Sequence, residues 1–394
     1  MMIREDLTND LVIKWERMRK AMAGLGADGC LLACDVNLFY VAGRMFSGYF
    51  YLPVEGNPWF FVKRPNGLSG KQVEYIRKPE QMPELFAEKG IKMPEKLLLE
   101  ADELTHNEHI RLQKAFNPKE TGNATALMRT LRSVKTPWEI GQFRQSAKHH
   151  ADTYAEIPQC YRQGMTDLEF QYEIELRMRR NGSMGVFRAF GTNMDIFMGS
   201  VLAGDNAQTP SPFDFALGGG GVNESIPIGA NGTLLKEGTA IMVDMAGNYT
   251  PYMTDMTRVF SIGKLPDEAY HAHEVALRIQ RETEKTARPG TPCAELYNLA
   301  AGIAQEEGLA SNFMGTKQQA KFVGHGIGLQ INELPVLAPR SKETLETGMV
   351  FALEPKFVIP SVGAVGIENS FLVTANGIEK LTYSEEHIIN LISK

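Results

Sequence analysis

Two aspartates of the carboxy-terminal half lie in apolar, strand-like segments, where a carboxylate needs a partner. Asp244 belongs to AIMVDMAGN, and Asp255 follows in the Tyr-, Thr- and Val-containing segment TPYMTDMTRVF. If these segments form a hairpin that turns about Tyr249-Thr250, Asp255 lies directly opposite Asp244, with about 5 Å between the Cβ atoms. Apposed, half-buried carboxylates repel each other and lose solvation, so a bound cation is the usual way to stabilise such a pair.

Two glutamates repeat this arrangement downstream. Glu354 lies in GMVFALEPKF and Glu368 in GAVGIENSFLV, and a hairpin centred on Ser361 would place them opposite each other. The two pairs predict a metal site built from four carboxylates. Carboxylates that are salt-bridged, or that share one proton, are the alternative interpretation.

A nitrogen ligand is available at His325, in the apolar segment FVGHGIGL. A single histidine in such a strand is often a packed core residue, but Gly324 and Gly326 carry no side chain that would block an approach to the ring. One histidine with four carboxylates suits two Mn²⁺, Co²⁺, Zn²⁺ or Fe²⁺ ions. The set is too rich in oxygen for structural zinc and too poor in histidine for copper.

The elements that must position these residues contain an internal repeat. Residues 161–182 resemble residues 287–308, and each copy follows a long helical pattern, about 137–160 and 266–286. Each copy contains a second helix that ends at glycine, and strand-rich sequence comes after it. The pattern predicts a domain of two related α/β halves that covers residues 136–394.

The amino-terminal part alternates between helical and strand-like patterns. We predict a helix over residues 11–25 and strands over 30–36, 59–62 and 96–99, which indicates an α/β layer domain. The polar stretch NPKETGN, residues 117–123, is the predicted linker.

Composition limits the class of protein. The 394 residues are 43% hydrophobic and carry a formal net charge of −6, which is ordinary for a globular protein and unfavourable for nucleic-acid binding. No apolar run reaches the ~18 residues that span a membrane, and the amino terminus lacks the apolar core of a secretory signal. We therefore expect a cytoplasmic protein without a nucleic-acid or membrane partner, whose four cysteines are free thiols.

The carboxy-terminal motifs resemble those of a known family. LRSVKTPWEI, VDMAGNYTPYMTDMTR, GHGIGLQINELP, GMVFALEP and GIENSFLVT stand in the order found in the pita-bread metallopeptidases, which include creatinase, prolidase, Xaa-Pro aminopeptidase and methionine aminopeptidase. The resemblance implies an α+β protein with an amino-terminal creatinase-type α/β domain (1–130) and a pita-bread domain (131–394) with pseudo-twofold symmetry. It also implies a homodimer.

The same resemblance implies a reaction and the residues that perform it. Relatives of the Xaa-Pro dipeptidase and aminopeptidase type hydrolyse small peptide or amide substrates with a water that two divalent metal ions activate. Glu354 matches the catalytic residue that shuttles the proton. The matching metal ligands are Asp244, Asp255, His325, Glu354 and Glu368.

Three positions depart from the family pattern. Ile228 and Asn332 replace two histidines that bind substrate, and Gly366 replaces an arginine that binds the product carboxylate in prolidase-like relatives. Loss of one hydrogen-bond donor of this kind costs about 10²–10³-fold in rate. The alternatives are therefore a creatinase-like hydrolase or lyase that acts on another C–N bond, or an inactive metal-binding relative.

Overall fold

The computed structural model of the chain describes residues 2–191 and 197–392, which form two compact units, residues 1–132 and 133–394. The sequence prediction places the division between residues 130 and 131. Each unit has its own buried apolar core. The candidate metal ligands all belong to the second unit.

The amino-terminal unit is built on one mixed sheet. Its helices are α1 (Thr8–Gly24), α2 (Asp35–Ala42), α3 (Gln81–Lys89), α4 (His106–Phe116) and α5 (Thr125–Ser133), and its strands are β1 (Gly29–Leu32), β2 (Ser47–Pro53), β3 (Trp59–Arg64), β4 (Val73–Tyr75), β5 (Lys96–Leu99) and β6 (Glu120–Asn123). The strands lie in the order β4-β3-β2-β1-β5-β6, and β1 runs antiparallel to β2 but parallel to β5. Helices α3 and α4 contribute Phe86 and Phe116 to the core of this unit.

Two predictions for this unit are wrong in detail. The first strand ends at Leu32, because Glu100 accepts hydrogen bonds from the backbone N–H groups of Ala33 (2.6 Å) and Cys34 (2.8 Å), and α2 begins directly afterwards. The predicted linker 117–123 contains β6, an edge strand that pairs in parallel with β5. An edge strand tolerates polar residues, so its sequence lacks the apolar alternation that predicts strands.

The carboxy-terminal unit combines helices with several sheets. Its helices are α6 (Pro137–Glu156), α7 (Asp167–Arg180), α8 (Asp267–Thr286) and α9 (Cys293–Glu306), and its strands are β7 (Gly199–Ala203), β8 (Ala240–Gly247), β9 (Thr254–Ser261), β10 (Gly324–Gly326), β11 (Glu333–Leu337), β12 (Val350–Leu353), β13 (Lys356–Ile359), β14 (Gly363–Gly366), β15 (Asn369–Thr374), β16 (Gly377–Lys380) and β17 (Ile389–Asn390). The strand orders are β17-β9-β8-β7, β11-β10-β12-β15-β16 and β13-β14.

The order of elements follows the sequence repeat. The pair α6 and α7 precedes β7, β8 and β9, and the pair α8 and α9 precedes the strands from β10 onward. In the first copy, Thr136 and Thr166 begin their helices with capping boxes, which Glu139 and Glu169 complete. The mixed architecture confirms the predicted α+β class with its amino-terminal α/β unit.

Strands β8 and β9 place acidic residues inside the protein. All of β9 is buried, and β8 is buried except at Asp244, which is partly accessible. Their apolar residues pack in a core with Tyr154 of α6 and Phe170 of α7. Among the helices that the structure describes, none is long and apolar enough to cross a membrane.

Candidate active site

The first carboxylate pair lies on one face of the β8–β9 hairpin, in a register that differs from the prediction. Asp244 pairs with Thr257, and Asp255 pairs with Ala246, so the two aspartates are diagonal rather than directly opposite neighbours. The hairpin turns one residue later than predicted, and the hydroxyl of Thr250 accepts the backbone N–H of Tyr252 within the turn (3.2 Å). The shift moves the pairing by two residues, so both side chains stay on the same face.

The second carboxylate pair lies where two ladders meet. Leu353 pairs with Asn369 and Lys356 pairs with Gly366, which is the register of a hairpin centred on Ser361. Glu354 and Glu368 therefore fall opposite each other between the ladders, as expected from the sequence. Glu368 also forms a bridge to Thr257, and this contact joins the second pair to strand β9.

The structure brings all five predicted ligands together. Two groups of potential ligands share Glu368, and within each group the ligand atoms lie within 4.8 Å of one another. One group is Asp255, His325 and Glu368, and the other is Asp244, Glu354 and Glu368. Nε2 of His325 lies 3.4 Å from Oε1 of Glu354 and 3.9 Å from Oδ2 of Asp255. We refer to these five side chains as the acidic centre.

Gly324 and Gly326, on either side of His325, have a packing role in addition to the predicted one. A Cβ atom on Gly324 would lie 2.3 Å from the carbonyl oxygen of Ala352, and one on Gly326 would lie 2.0 Å from that of Leu334. The glycines therefore allow neighbouring backbone to approach β10 closely. This packing holds the strand that carries His325.

Sequence reasoning missed Lys356, a sixth residue, which contacts the acidic centre. Its Nζ lies 2.6 Å from Glu354, 2.8 Å from Asp244 and 3.1 Å from Glu368, and its side chain is 0% exposed. The signal was a lysine within the apolar run FALEPKFVIP, because lysine is almost never fully buried unless it is paired. The salt-bridged alternative for the carboxylates therefore holds for three of the four.

Buried polar groups fix the positions of the carboxylates. The hydroxyl of Thr257 donates to Oε2 of Glu368 (2.7 Å), and the hydroxyl of Ser370 donates to the backbone oxygen of Asp255 (3.0 Å). The buried guanidinium of Arg258 donates through Nη1 to the backbone oxygen of Glu368 (2.9 Å). These bonds tie β9 to the segment that carries Glu368, and they pre-organise the centre.

Burial and neighbouring charges shift the pKa values of Asp255, Glu368 and Lys356. Burial, followed by the charges of Glu368 and Asp244, raises the pKa of Asp255 well above its usual range. Burial also raises the pKa of Glu368, and the charge of Lys356 only partly opposes that shift. Burial alone would lower the pKa of Lys356, but the neighbouring carboxylates outweigh it and raise that pKa well above its usual range. The raised carboxylate pKa values show that Lys356 alone does not offset the negative charge of the centre.

A divalent cation fits one half of the centre and not the other. Four carboxylates and one ammonium leave a formal charge of −3, which one divalent ion reduces to −1. Oε1 of Glu368 is buried without a hydrogen-bond partner among the described residues, whereas its Oε2 is bonded to Thr257 and Lys356. The group with Asp255 and His325 can therefore hold an ion, while the ammonium of Lys356 already contacts every carboxylate of the other group.

The predicted substrate residues lie in other contacts. The side chain of Asn332 donates to the carbonyl oxygen of Phe190 (2.9 Å) and accepts its backbone N–H (2.6 Å), so it holds the segment around residue 190. Ile228 is 2% exposed, and its backbone N–H bonds to Ile226 in its own loop. Among the described contacts, neither residue touches the acidic centre.

Position 366 is restricted to glycine by the backbone and the lysine beside it. A Cβ atom at residue 366 would lie 2.7 Å from Cα and 3.2 Å from Cγ of Lys356, and 2.4 Å from the carbonyl oxygen of Pro355. Its φ of 149° also favours glycine. A side chain is therefore excluded where prolidase-like relatives carry arginine.

Comparison with protein families covers both units. Residues 141–375 match the model of metallopeptidase family M24, and residues 14–134 match the model of the creatinase/prolidase N-terminal domain. All five residues of the acidic centre lie in the first of these ranges.

Individual proteins and solved structures are also similar to this chain. The chain is 30% identical over 294 residues to an uncharacterized peptidase of Staphylococcus aureus strain MW2, a match that covers 74% of each chain. Its fold is similar to that of a Xaa-Pro dipeptidase from Bacillus anthracis, with a TM-score of 0.79, 24% identity, and 96% and 99% of the two chains covered. A prolidase from Pyrococcus horikoshii OT3 has a TM-score of 0.76 at 23% identity, over 94% of this chain and 98% of its own.

Proposed function

This chain belongs to metallopeptidase family M24, and from that membership we propose that it is a metal-dependent hydrolase of small peptide or amide substrates, related in its reaction to Xaa-Pro dipeptidases and aminopeptidases. The supporting observation is the acidic centre itself. Asp244, Asp255, His325, Glu354 and Glu368 are of the residue types that the family requires, and they converge from separate strands and segments of the M24 region.

Asp255, His325 and Glu368 would hold the divalent ion, with Glu354 beside them. When bound, such an ion polarises the scissile carbonyl and lowers the pKa of a water. Mn²⁺, Co²⁺, Zn²⁺ and Fe²⁺ all accept one imidazole and several carboxylates.

Glu354 is the residue that we assign to proton transfer. Its Oε2 is bonded to Lys356, and its Oε1 faces the imidazole of His325. The oxygen that faces the imidazole is the one placed to accept a proton from the attacking water and to deliver it to the leaving nitrogen. Lys356 fixes the orientation of this carboxylate.

The residues at the two predicted substrate-binding positions, 228 and 332, support weak activity on simple Xaa-Pro dipeptides. The amide of Asn332 is committed to the backbone of Phe190, and Ile228 offers no hydrogen-bond donor. Each missing donor raises the barrier by about 3–4 kcal/mol. This observation supports the second candidate, a hydrolase or lyase that acts on a C–N bond other than a Xaa-Pro peptide bond.

The experiment is a substrate panel with controlled metal. Dipeptides from Gly-Pro to Met-Pro, other dipeptides and simple amides are incubated with the chain after chelation and after reloading with Mn²⁺, Co²⁺ or Zn²⁺. We expect metal-dependent hydrolysis of one class, with Xaa-Pro dipeptides among the poor substrates. No metal-dependent turnover on any class would support the inactive relative instead.

Restoring the family's histidines separates the two candidates. If the missing donors limit Xaa-Pro cleavage, Ile228→His/Asn332→His recovers part of it. Fast cleavage by the unmodified chain, not improved in the double variant, would show an ordinary Xaa-Pro dipeptidase. A homodimer, which the family resemblance implies, is measured on the same samples by light scattering after gel filtration.

A further inference from the structure

We propose that Lys356 takes the place of one metal ion in the acidic centre, so that each chain binds a single divalent ion, at Asp255, His325 and Glu368. This inference rests on the proposed metal-dependent function, and it specifies how much metal that function uses. The family resemblance implies two ions. The inference therefore concerns a feature of this chain that its family membership does not provide.

The contacts of the ammonium carry the inference. An ammonium has three N–H donors, and three carboxylates lie 2.6–3.1 Å from Nζ of Lys356. The same three residues, Asp244, Glu354 and Glu368, form the second group of potential ligands. An ion bound to these oxygens would lie about 2.0–2.6 Å from each of them. That position overlaps the ammonium, so lysine and metal exclude each other.

The surrounding backbone commits the lysine to this position. Lys356 is the first residue of β13 and pairs with Gly366, whose missing side chain leaves room for Cα and Cγ of the lysine. Its side chain is 0% exposed, and all four residues of β13 are buried. Glycine at 366 and lysine at 356 thus form a matched pair.

The other group keeps the features of an ion site. Among the described residues, Asp255 forms an ion pair only with His325, whose charge depends on protonation. Oε1 of Glu368 has no hydrogen-bond partner there. These groups still require a cation, and the lysine does not supply it. One divalent ion and one ammonium together reduce the formal charge of the four carboxylates from −4 to −1.

The test is the number of ions bound by the purified full-length chain. After chelation the protein is saturated with Mn²⁺, excess metal is removed, and bound Mn²⁺ is measured by plasma mass spectrometry and titration calorimetry. We expect one ion per chain, with the electron paramagnetic resonance spectrum of an isolated Mn²⁺. Two ions with an exchange-coupled spectrum would overturn the inference and leave the proposed function intact. No bound ion at saturation would instead overturn the metal-dependent function, and the inference with it.

Lys356→Ala removes the ammonium and opens its space. We expect this variant to bind a second Mn²⁺ and to acquire the exchange-coupled spectrum, whereas Lys356→Met, which removes the charge but keeps the bulk, stays at one ion. Circular dichroism checks that both are folded. A folded Lys356→Ala chain that still binds one ion would show that the lysine is not what excludes the second.

A matched pair of aspartate variants tests the same point without altering the lysine. Asp255→Asn removes a ligand of the predicted ion and should weaken Mn²⁺ binding at least tenfold, a loss of about 1.4 kcal/mol. Asp244→Asn removes only a partner of Lys356 and should leave the stoichiometry at one, with affinity changed less than about tenfold. Equal losses in the two variants would contradict the single-ion assignment.

Discussion

At the scale of single residues, the acidic centre separates the roles of its carboxylates. Asp244 and one oxygen of Glu354 contact the ammonium of Lys356, whereas Asp255 and one oxygen of Glu368 lack a permanent cation. Carboxylates of the same type therefore differ in what they can bind. The difference follows from which strand carries the lysine and not from the spacing of the acids along the chain.

Glu354→Gln is expected to abolish nearly all turnover, by about 10²–10⁴-fold, while the protein stays folded. Glutamine keeps the size of the side chain and one oxygen for contact, but it cannot accept the proton of the attacking water. Initial rates are measured on the best substrate from the panel, with circular dichroism and ion content as controls. A variant that retains more than about a tenth of the original rate would show that another group moves the proton.

We expect the buried side chain of His150 to make the free energy of unfolding depend on pH. It is 0% exposed, its Nδ1 lies 3.0 Å from the hydroxyl of Thr254, and the rings of Tyr154 and Tyr249 pack against it. Burial, followed by the charge of Arg258, lowers the pKa of His150 to about 3. In the unfolded chain a histidine has a pKa of about 6.5. Below that pH the unfolded state binds a proton that the folded state does not.

We therefore expect the free energy of unfolding to fall as the pH decreases from 7 to 4, with His150 contributing up to about 3 kcal/mol of the loss. His150→Gln cannot titrate and should show a smaller slope. Urea denaturation at several pH values measures both. Identical slopes in the two proteins would mean that the histidine is protonated or exposed before the chain unfolds.

At the scale of elements, the β13–β14 ladder is sensitive to substitution at Gly366. Gly366→Ala places a Cβ 2.4 Å from the carbonyl oxygen of Pro355, so the ladder must shift. We expect a loss of about 2–4 kcal/mol in the free energy of unfolding, from the clash together with the positive φ.

Gly290→Ala is the matched control for this substitution. Gly290 also has a positive φ of 90°, but a Cβ there meets no atom within 4 Å, so only the backbone cost of about 1 kcal/mol applies. Chemical denaturation compares the two variants. Equal losses would show that the close approach to Lys356 is relieved by a small movement of the strand.

Features that residues close together in the chain form can be predicted from the sequence, whereas features that distant residues form cannot. The capping box of Thr136 and Glu139 marks the start of α6 because it is formed by residues three apart. The end of β1 depends on Glu100, which is more than sixty residues away, and the register of β8 with β9 depends on the shape of one turn. Such long-range contacts leave no local pattern, so the predicted strand and the predicted register were wrong.

The same distinction applies to the acidic centre. Its five candidate ligands could be singled out from the sequence because each is an acid or histidine in an apolar strand-like segment. Lys356 carries a weaker signal, because a long lysine side chain can often reach solvent from the end of a strand. Only the contacts show that it turns toward Asp244, Glu354 and Glu368.

At the scale of the whole molecule, every residue of the acidic centre belongs to the unit formed by residues 133–394. That unit has its own core, and the M24 match lies entirely within it. We therefore expect a chain of residues 133–394 to fold cooperatively and to bind the same number of Mn²⁺ ions as the full-length protein. Thermal unfolding and ion analysis of this fragment test the expectation. A fragment without a cooperative transition would show that residues 1–132 are required for the second unit to fold.

The lysine at position 356 also affects the time at which the positive charges of the centre are in place. A metal ion must be delivered after synthesis, is lost to chelators and varies with the supply in the surroundings. The ammonium is made with the polypeptide, reaches its carboxylates as the chain folds, and cannot be exchanged for a competing metal. One of the two cations of the centre is thus part of the polypeptide. A mutation at Lys356 would therefore alter the number of metal ions that each copy of the protein requires.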